Sequence, residues 1–121
     1  MVGLAELGLL VDWNLHKTVS EEAVVAAYVI YEGVVTDPER YEAYKIKAAE
    51  SIVAAGGRYL VRGGDTECLE GDPPAGRTVV LEFPTMQAAV GWYRSEEYAA
   101  IHKLREGAAE VRMMYAVAGV D

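Results

Sequence analysis

The sequence is poor in the residues that several classes of protein require. It contains one cysteine, Cys68, so no disulfide can form within the chain, and we expect a reducing, cytoplasmic environment. Its 11 Lys and Arg are outnumbered by 19 Asp and Glu, and the resulting net charge of −8 disfavours binding to nucleic acid. No apolar run approaches the ~20 residues of a membrane-spanning helix. We therefore expect one acidic domain that contacts neither nucleic acid nor a membrane.

The sequence also offers little support for a metal site or a cysteine nucleophile. His16, His102 and Cys68 are far apart and lack the spacing of metal ligands. Cys68 has acidic neighbours, an unfavourable setting for a nucleophilic thiolate. The glycine pair at residues 63–64 is not a phosphate-binding loop, because neither a helix nor a Lys-Ser/Thr motif follows it. We expect no metal and no cofactor.

Residues 1–23 form an apolar N-terminal arm, distinct from a domain that we place at 24–121. The arm contains Leu7, Leu10 and Trp13, which a disordered tail seldom does. Glu6 precedes the apolar stretch and no basic segment does, so we expect no secretory signal. The arm is expected to dock on its own domain, on a second copy, or on a partner protein.

The rest of the chain alternates between strand and helix patterns. Residues 24–35 are β-branched and aromatic and are apolar on both alternating faces, as in a strand covered on both sides. Asp37 and Pro38 are typical of a helix start, and Gly56 of a helix end. The predicted order is strand 24–35, helix from Pro38 to Gly56, strand 58–62 with a ragged extension at 65–72, strand 77–83, two helices capped by Thr85 and Ser95, and strand 111–117.

This order is the ferredoxin-like, split βαβ arrangement, an α+β fold in which helices cover one face of a four-stranded antiparallel sheet. The strands are apolar on both faces, whereas the helices suffice for one. We therefore expect a second copy to cover the other face in a homodimer.

Aromatic residues on the inner sides of the helices are candidates for ligand binding. They could line a pocket for a flat, apolar ligand, or they could simply pack the core, and the sequence leaves both readings open. The inner side of the last helix also carries Arg105. The aromatic candidates are Tyr41, Tyr44, Trp92, Tyr93 and Tyr98.

Charged residues supply weaker candidates for binding and catalysis. Arg62 and Glu82 lie on strands that should be neighbours, where Arg62 could hold a carboxylate or enolate while Glu82 acts as acid or base. The alternative is a structural ion pair between them. His102 could act as a general base oriented by Glu106 at i+4, although the same spacing decorates ordinary exposed helices.

From residue 27 to 117 the chain resembles the family called domain of unknown function 1330, within the dimeric α/β-barrel superfamily. The similar blocks are AYVIYEGVVTDPERYEAY, GGRYLVRGG (which contains Arg62), LEG at 69–71, RTVVLEFP and WYRSEEYAAIHKLREGA. The resemblance implies a two-chain barrel with a small cavity in each subunit, between sheet and helices. Residues 1–23 have no counterpart in the family pattern.

Three functions are consistent with these features, and whether the protein is an enzyme stays open. The first is a ligand-handling barrel, auxiliary or cyclase-like, for an apolar oxygenated metabolite such as a polyketide-type intermediate of a biosynthetic pathway. The second is a non-enzymatic module that docks on a larger biosynthetic enzyme. The third is a cofactor-free monooxygenase, since related barrels include such enzymes as well as polyketide cyclases and haem-dependent enzymes.

Overall fold

The computed structural model describes residues 25–120, which form four strands and three helices in the predicted order. The first strand begins slightly later than expected and the last is longer at both ends. The predicted arm at 1–23 lies outside the described residues. The elements are β1 (Ala27–Val35), α1 (Pro38–Ala54), β2 (Arg58–Arg62), β3 (Arg77–Phe83), α2 (Met86–Tyr93), α3 (Glu96–Arg105) and β4 (Ala109–Ala118).

Side chains cap the helices where the sequence predicts it. The Asp37 carboxylate accepts a hydrogen bond from the Arg40 backbone N–H at 3.2 Å, and Pro38 occupies the first turn of α1. The Thr85 and Ser95 hydroxyls accept hydrogen bonds from backbone N–H groups in the first turns of α2 and α3, at 3.0 and 3.1 Å respectively. Gly56 follows α1 with a φ of +87°, the left-handed conformation that favours glycine. These contacts fix where each helix begins and ends.

The sheet is antiparallel throughout, with strand order β2-β3-β1-β4. β1 and β3 are central, and the helices pack on one face, which confirms the ferredoxin-like α+β prediction. We call the helix-covered side the inner face and the opposite side the outer face. Ala27, Val29 and Tyr31 of β1 point to the inner face, whereas Tyr28 and Ile30 point to the outer face.

The core lies between the inner face and the helices. The buried side of α1 carries Tyr41, Tyr44, Ala48 and Ile52. Phe83 is fully buried, and its ring centroid lies 5.5 Å from that of Trp92. Burying a side chain of this size stabilises a fold by about 1.5–3 kcal/mol.

The segment between β2 and β3 is not a strand, so the extension predicted at 65–72 is wrong. The segment is exposed up to Pro73 and returns to the sheet through Gly76, whose φ is +85°. A side chain at Gly76 would collide with the Gly33 carbonyl. The Glu32 carboxylate accepts a hydrogen bond from the Ala75 backbone N–H. These contacts attach the end of the segment to β1.

The outer face is apolar, and nothing in the described part of the chain covers it. Its large exposed side chains are on β2 and β4, among them Val61, Met113, Tyr115 and Val117, which are 40–50% exposed. The alternate β4 residues Met114 and Ala116 lie on the inner face and pack against the core. None of the helices described, from α1 to α3, is long and apolar enough to cross a membrane.

Candidate ligand-binding site

A small cavity lies between the inner face and the helices, and we call it the inner cavity. Its volume is about 30 Å³, room for about two water molecules. Every strand and every helix contributes to its wall. The lining residues are Val29, Tyr31, Tyr41, Tyr44, Ile52, Tyr59, Arg77, Val79, Leu81, Trp92, Arg105 and Met114.

Arg105 is a buried cation in this wall, with only 5% of its surface exposed. Its guanidinium carbon lies 5.5 Å from the Tyr31 ring centroid and 5.4 Å from that of Tyr44. Its Nη1 donates to the Met114 sulfur at 3.8 Å. Among residues 25–120, no carboxylate forms an ion pair with it. A guanidinium has five N–H donors, and rings and a thioether are weak acceptors, so most of its hydrogen-bonding capacity is unused.

The fold places Arg105 inside because it shares a helical stripe with Tyr98, Ile101 and Ala108, all of which pack on the core. It also lies in the last turn of α3, where the helix dipole favours a cation. Burial by itself lowers the pKa of Arg105, but the surrounding tyrosines outweigh burial and the net pKa is above its ordinary value. The guanidinium therefore stays charged.

Tyr31 places a second unsatisfied group at the cavity. It is buried, and its hydroxyl has no hydrogen-bond partner in the described chain. Its ring extends over Gly33, two residues along the same face, where any side chain would collide with the hydroxyl. Burial raises the pKa of Tyr31, and the neighbouring Tyr41 raises it further. At neutral pH this hydroxyl is a protonated donor.

Tyr44 and Tyr98 form a buried hydroxyl pair, with their oxygens 2.6 Å apart. Burial raises the pKa of both residues. Tyr44 lines the inner cavity, so the pair forms a polar strip in a wall that is otherwise largely apolar.

Arg77 is the second arginine of the cavity wall. Its Nε is buried and has no hydrogen-bond partner in the described chain. Its guanidinium carbon lies 5.8 Å from the Tyr41 ring centroid. The guanidinium also lies so close to Gly63 that a side chain at that position would collide with it. No carboxylate of residues 25–120 lines the inner cavity, so the described part of its wall carries two positive charges and no negative one.

A larger concavity adjoins the inner cavity between α2 and the edge strand β4, and we call it the edge cleft. Its volume is about 260 Å³. Val29, Trp92 and Met114 line both spaces and form the wall between them. The rest of the edge cleft is lined by Ala89, Val90, Tyr93, Arg94, Tyr115 and Ala116.

The structure brings most of the aromatic candidates together. Tyr41, Tyr44 and Trp92 line the inner cavity, and Tyr98 joins them through its hydrogen bond to Tyr44. Tyr93 lies on the edge cleft, 43% exposed, with its ring centroid 5.4 Å from that of Tyr98. The Trp92 indole N–H already donates to Ser51 at 3.0 Å, so its contribution to the cavity is apolar.

The suggested pairing of Arg62 with Glu82 is wrong. The strand register places Arg58 opposite Glu82, and their side chains form an ion pair at 2.7 Å on the outer face. A bulge between Tyr59 and Val61 puts Arg62 opposite Val79 instead. Arg62 is exposed and stacks on the Tyr59 ring at 4.3 Å. Neither Arg62 nor Glu82 lines the inner cavity.

His102 also lies away from the cavity. Its Nδ1 is 3.4 Å from the Glu106 carboxylate, so the i+4 contact anticipated from the sequence is present. Its ring centroid is 6.4 Å from that of Tyr93 and 6.1 Å from that of Tyr98. The structure therefore packs His102 against Tyr93 and Tyr98, but it brings neither catalytic candidate, Glu82 or His102, to the inner cavity.

The sequence-based candidates did not include four residues of the cavity wall. Arg77 and Tyr31 were assigned only to strands, Tyr59 received no role, and Arg105 appeared only as part of a helix stripe. An arginine among apolar positions of an amphipathic helix was the available signal, since charged residues are rarely buried without a partner. Within residues 25–120, no group of three or more His, Cys, Asp or Glu side chains is arranged to hold a metal ion.

Comparisons with known proteins agree with the fold. A family model described as "Domain of unknown function (DUF1330)" matches residues 26–120. None of the curated proteins matches the chain. Among solved structures, RPA0582, a protein of unknown function from Rhodopseudomonas palustris, is similar with 20% identity and a TM-score of 0.59 over 82% of this chain and 85% of that one.

A second solved structure has a named activity. SnoaB from Streptomyces nogalater, a cofactor-independent oxygenase, is similar with 12% identity and a TM-score of 0.53, over 82% of this chain and 96% of that one. At these identities the likenesses establish the fold alone.

Proposed function

The chain belongs to the DUF1330 family of domains of unknown function, and we propose that it binds a small, apolar, oxygenated metabolite at the inner cavity and the edge cleft that adjoins it. The observation that carries this proposal is the convergence of unsatisfied polar groups on one space. The Tyr31 hydroxyl and the Arg77 Nε are buried at the inner cavity without a partner in the described chain, and the buried Arg105 beside them donates only to the Met114 sulfur among residues 25–120. Buried polar groups in proteins are nearly always hydrogen-bonded.

Leaving such groups unsatisfied costs about 1–3 kcal/mol each. A purely structural core would replace them with apolar side chains of similar volume, often at a gain in stability. A ligand oxygen in the cavity would instead satisfy them. The surrounding aromatic and aliphatic wall suits the apolar remainder of a metabolite.

The lining residues favour a cyclase-like or auxiliary role in a biosynthetic pathway. Among residues 25–120 the cavity wall contains no carboxylate or histidine, and burial raises the pKa of Tyr31, Tyr44 and Tyr59, so these hydroxyls act as hydrogen-bond donors rather than as bases. A cation and a hydroxyl donor fixed around one point stabilise negative charge that develops on an oxygen, as in an enolate.

A cofactor-free oxygenase is the second candidate. The fold shared with SnoaB favours it, together with a cavity able to stabilise an enolate, the kind of anion that reacts with oxygen. Oxygen uptake in the presence of an enolisable aromatic ketone distinguishes this function from a cyclase or an auxiliary protein.

We extend the proposal to a homodimer that closes the two-chain barrel, in which the second copy covers the apolar outer face. Exposed apolar side chains of this size on two strands are typical of an interface. The module that docks on a larger enzyme is the alternative occupant of this face.

Binding can be tested with naphthol as an apolar, oxygenated probe. In a full-length Trp13→Phe background, Trp92 is the only tryptophan, and its fluorescence reports on the cavity wall. We expect naphthol to bind and Tyr31→Phe to weaken binding about fivefold, the equivalent of one hydrogen bond. Tyr28→Phe is the matched control, because Tyr28 lies on the same strand but donates to Glu82 on the outer face. Absence of binding at millimolar naphthol and naphthoate would contradict the proposal, as would equal effects of the two variants.

A further inference from the structure

The charge of the inner cavity is opposite to that of the whole protein. The chain carries a net charge of −8, yet the only charged side chains that residues 25–120 contribute to the cavity wall are Arg77 and Arg105. None of the ion pairs among residues 25–120 involves either of them. An acidic chain has carboxylates in excess, so their absence from this wall leaves the two cations for something else to neutralise.

A bound anion is the group that this wall lacks. A guanidinium presents paired N–H donors in a plane, which matches the two oxygens of a carboxylate. Arg105 is held by contacts with the Tyr31 and Tyr44 rings, which leave those donors unused. The Tyr31 hydroxyl adds a third donor group to the same wall, after the two guanidinium groups.

The sizes of the two spaces indicate the shape of the ligand. At about 30 Å³ the inner cavity accommodates a carboxylate but not a whole metabolite. The edge cleft, at about 260 Å³, is mainly apolar and shares Val29, Trp92 and Met114 with the inner cavity. Arg94 is the only charged residue that the described chain contributes to the lining of the edge cleft.

Met114 is the movable part of the shared wall. Its sulfur contacts the Arg105 guanidinium, and its unbranched side chain has several accessible rotamers. Val29 is β-branched and Trp92 is held by a hydrogen bond to Ser51, so neither moves as readily. A change of Met114 rotamer would join the two spaces and release the Arg105 donors from the sulfur.

We propose that the ligand is a monoanion with a flat apolar body, whose carboxylate or enolate oxygens lie between Arg105, Arg77 and Tyr31 while its body occupies the edge cleft past Met114. This inference rests on the proposed function, because it names the ligand class of the same site. It assigns to Arg105 and Arg77 the anion-binding role that the sequence suggested for Arg62.

The test compares naphthoate with its neutral counterpart naphthamide, using Trp92 fluorescence in the full-length Trp13→Phe protein. We expect naphthoate to bind at least tenfold more tightly. Arg105→Met should weaken naphthoate binding 10- to 100-fold and change naphthamide binding less than threefold, since a charge-assisted hydrogen bond is worth one to two factors of ten. Arg62→Met is the matched control and should leave both affinities unchanged.

Two further variants keep the test decisive if Arg105→Met does not fold. Arg105→Lys retains the charge but loses the planar fork, and Arg77→Met removes the other cation. Each should weaken naphthoate binding at least threefold in a protein that melts cooperatively. Naphthoate affinity unchanged in both would overturn the assignment of these arginines.

The apolar half of the proposal has its own variant. Ala116→Leu narrows the edge cleft and should weaken naphthoate binding at least fivefold, whereas Ala100→Leu, on the exposed side of α3, should not. Equal binding of naphthoate and naphthamide would overturn the anionic ligand and leave the proposed function standing. Failure of naphthol, naphthoate and naphthamide to bind would overturn both.

Discussion

The two faces of the sheet differ in whether their arginines are paired with carboxylates. On the inner face, Arg105 and Arg77 line a cavity under the helices without a carboxylate partner in the described chain. On the outer face, Arg58 and Glu82 pair at 2.7 Å, with the Arg58 side chain 70% exposed. The same residue type is therefore an unsatisfied cation on one side of the sheet and half of a surface ion pair on the other.

The difference indicates which arginines are structural. A surface ion pair contributes about 0–1 kcal/mol to stability, so forming or losing the pair on the outer face changes the free energy of unfolding little. An unpaired buried charge costs several kcal/mol, which a fold retains only where something other than stability requires it. The inner face is for this reason the better place to look for function, whereas the apolar outer face is suited to assembly.

The largest effect should come from placing a charge on the outer face. If a second copy covers this face, Tyr115→Glu buries an unpaired carboxylate in the interface and should raise the dimer dissociation constant at least 100-fold. Sedimentation equilibrium should show the wild-type chain at about twice 13.2 kDa and the variant near the monomer mass. Ile46→Glu, exposed on α1, is the control. A wild-type monomer would contradict the covering of the outer face.

An intermediate effect is expected at alkaline pH, on the inner face. The pKa of Tyr31, Tyr44, Tyr59 and Tyr98 is raised above 10.0, chiefly by burial. In the unfolded chain these residues lose their protons near pH 10, whereas in the folded chain they keep them. Stability should thus be independent of these groups below about pH 10 and fall as pH rises through the higher folded values.

The ultraviolet absorbance of tyrosinate measures the ionisation of these tyrosines directly. Four of the eight tyrosines should remain protonated until the protein unfolds, and all eight should titrate normally in denaturant. Complete and reversible ionisation near pH 10 with the fold intact would show that the inner face admits water freely.

The smallest effect should come from breaking the outer ion pair. Arg58→Met should change the free energy of unfolding by about 1 kcal/mol or less, because the arginine is largely exposed. Arg62→Met should change it less still, since Arg62 stacks on Tyr59 and makes no contact with Glu82. Chemical denaturation measures both. A loss above 2 kcal/mol for Arg58→Met would indicate that Glu82 is buried in an assembly.

Much of the fold follows from local patterns in the sequence. The apolar alternation of β1, the caps at Asp37, Thr85 and Ser95, and the glycine after α1 all predicted elements that the structure contains. Such signals depend on neighbouring residues only, so they can be read along the chain. The tyrosines on the inner sides of the helices were found in the same way.

The composition of the site follows from contacts between distant parts of the chain. The register of β2 on β3 decides that Arg58, rather than Arg62, meets Glu82, and the bulge that follows Tyr59 places Arg62 opposite Val79. The sequence determined the elements, their order and the helical stripe that contains Arg105, because periodicity and capping are local. Only the tertiary structure decided that Arg105 and Arg77 share a cavity with Tyr31 and with no carboxylate of the described chain, because the absence of a partner depends on every element packed around the cavity.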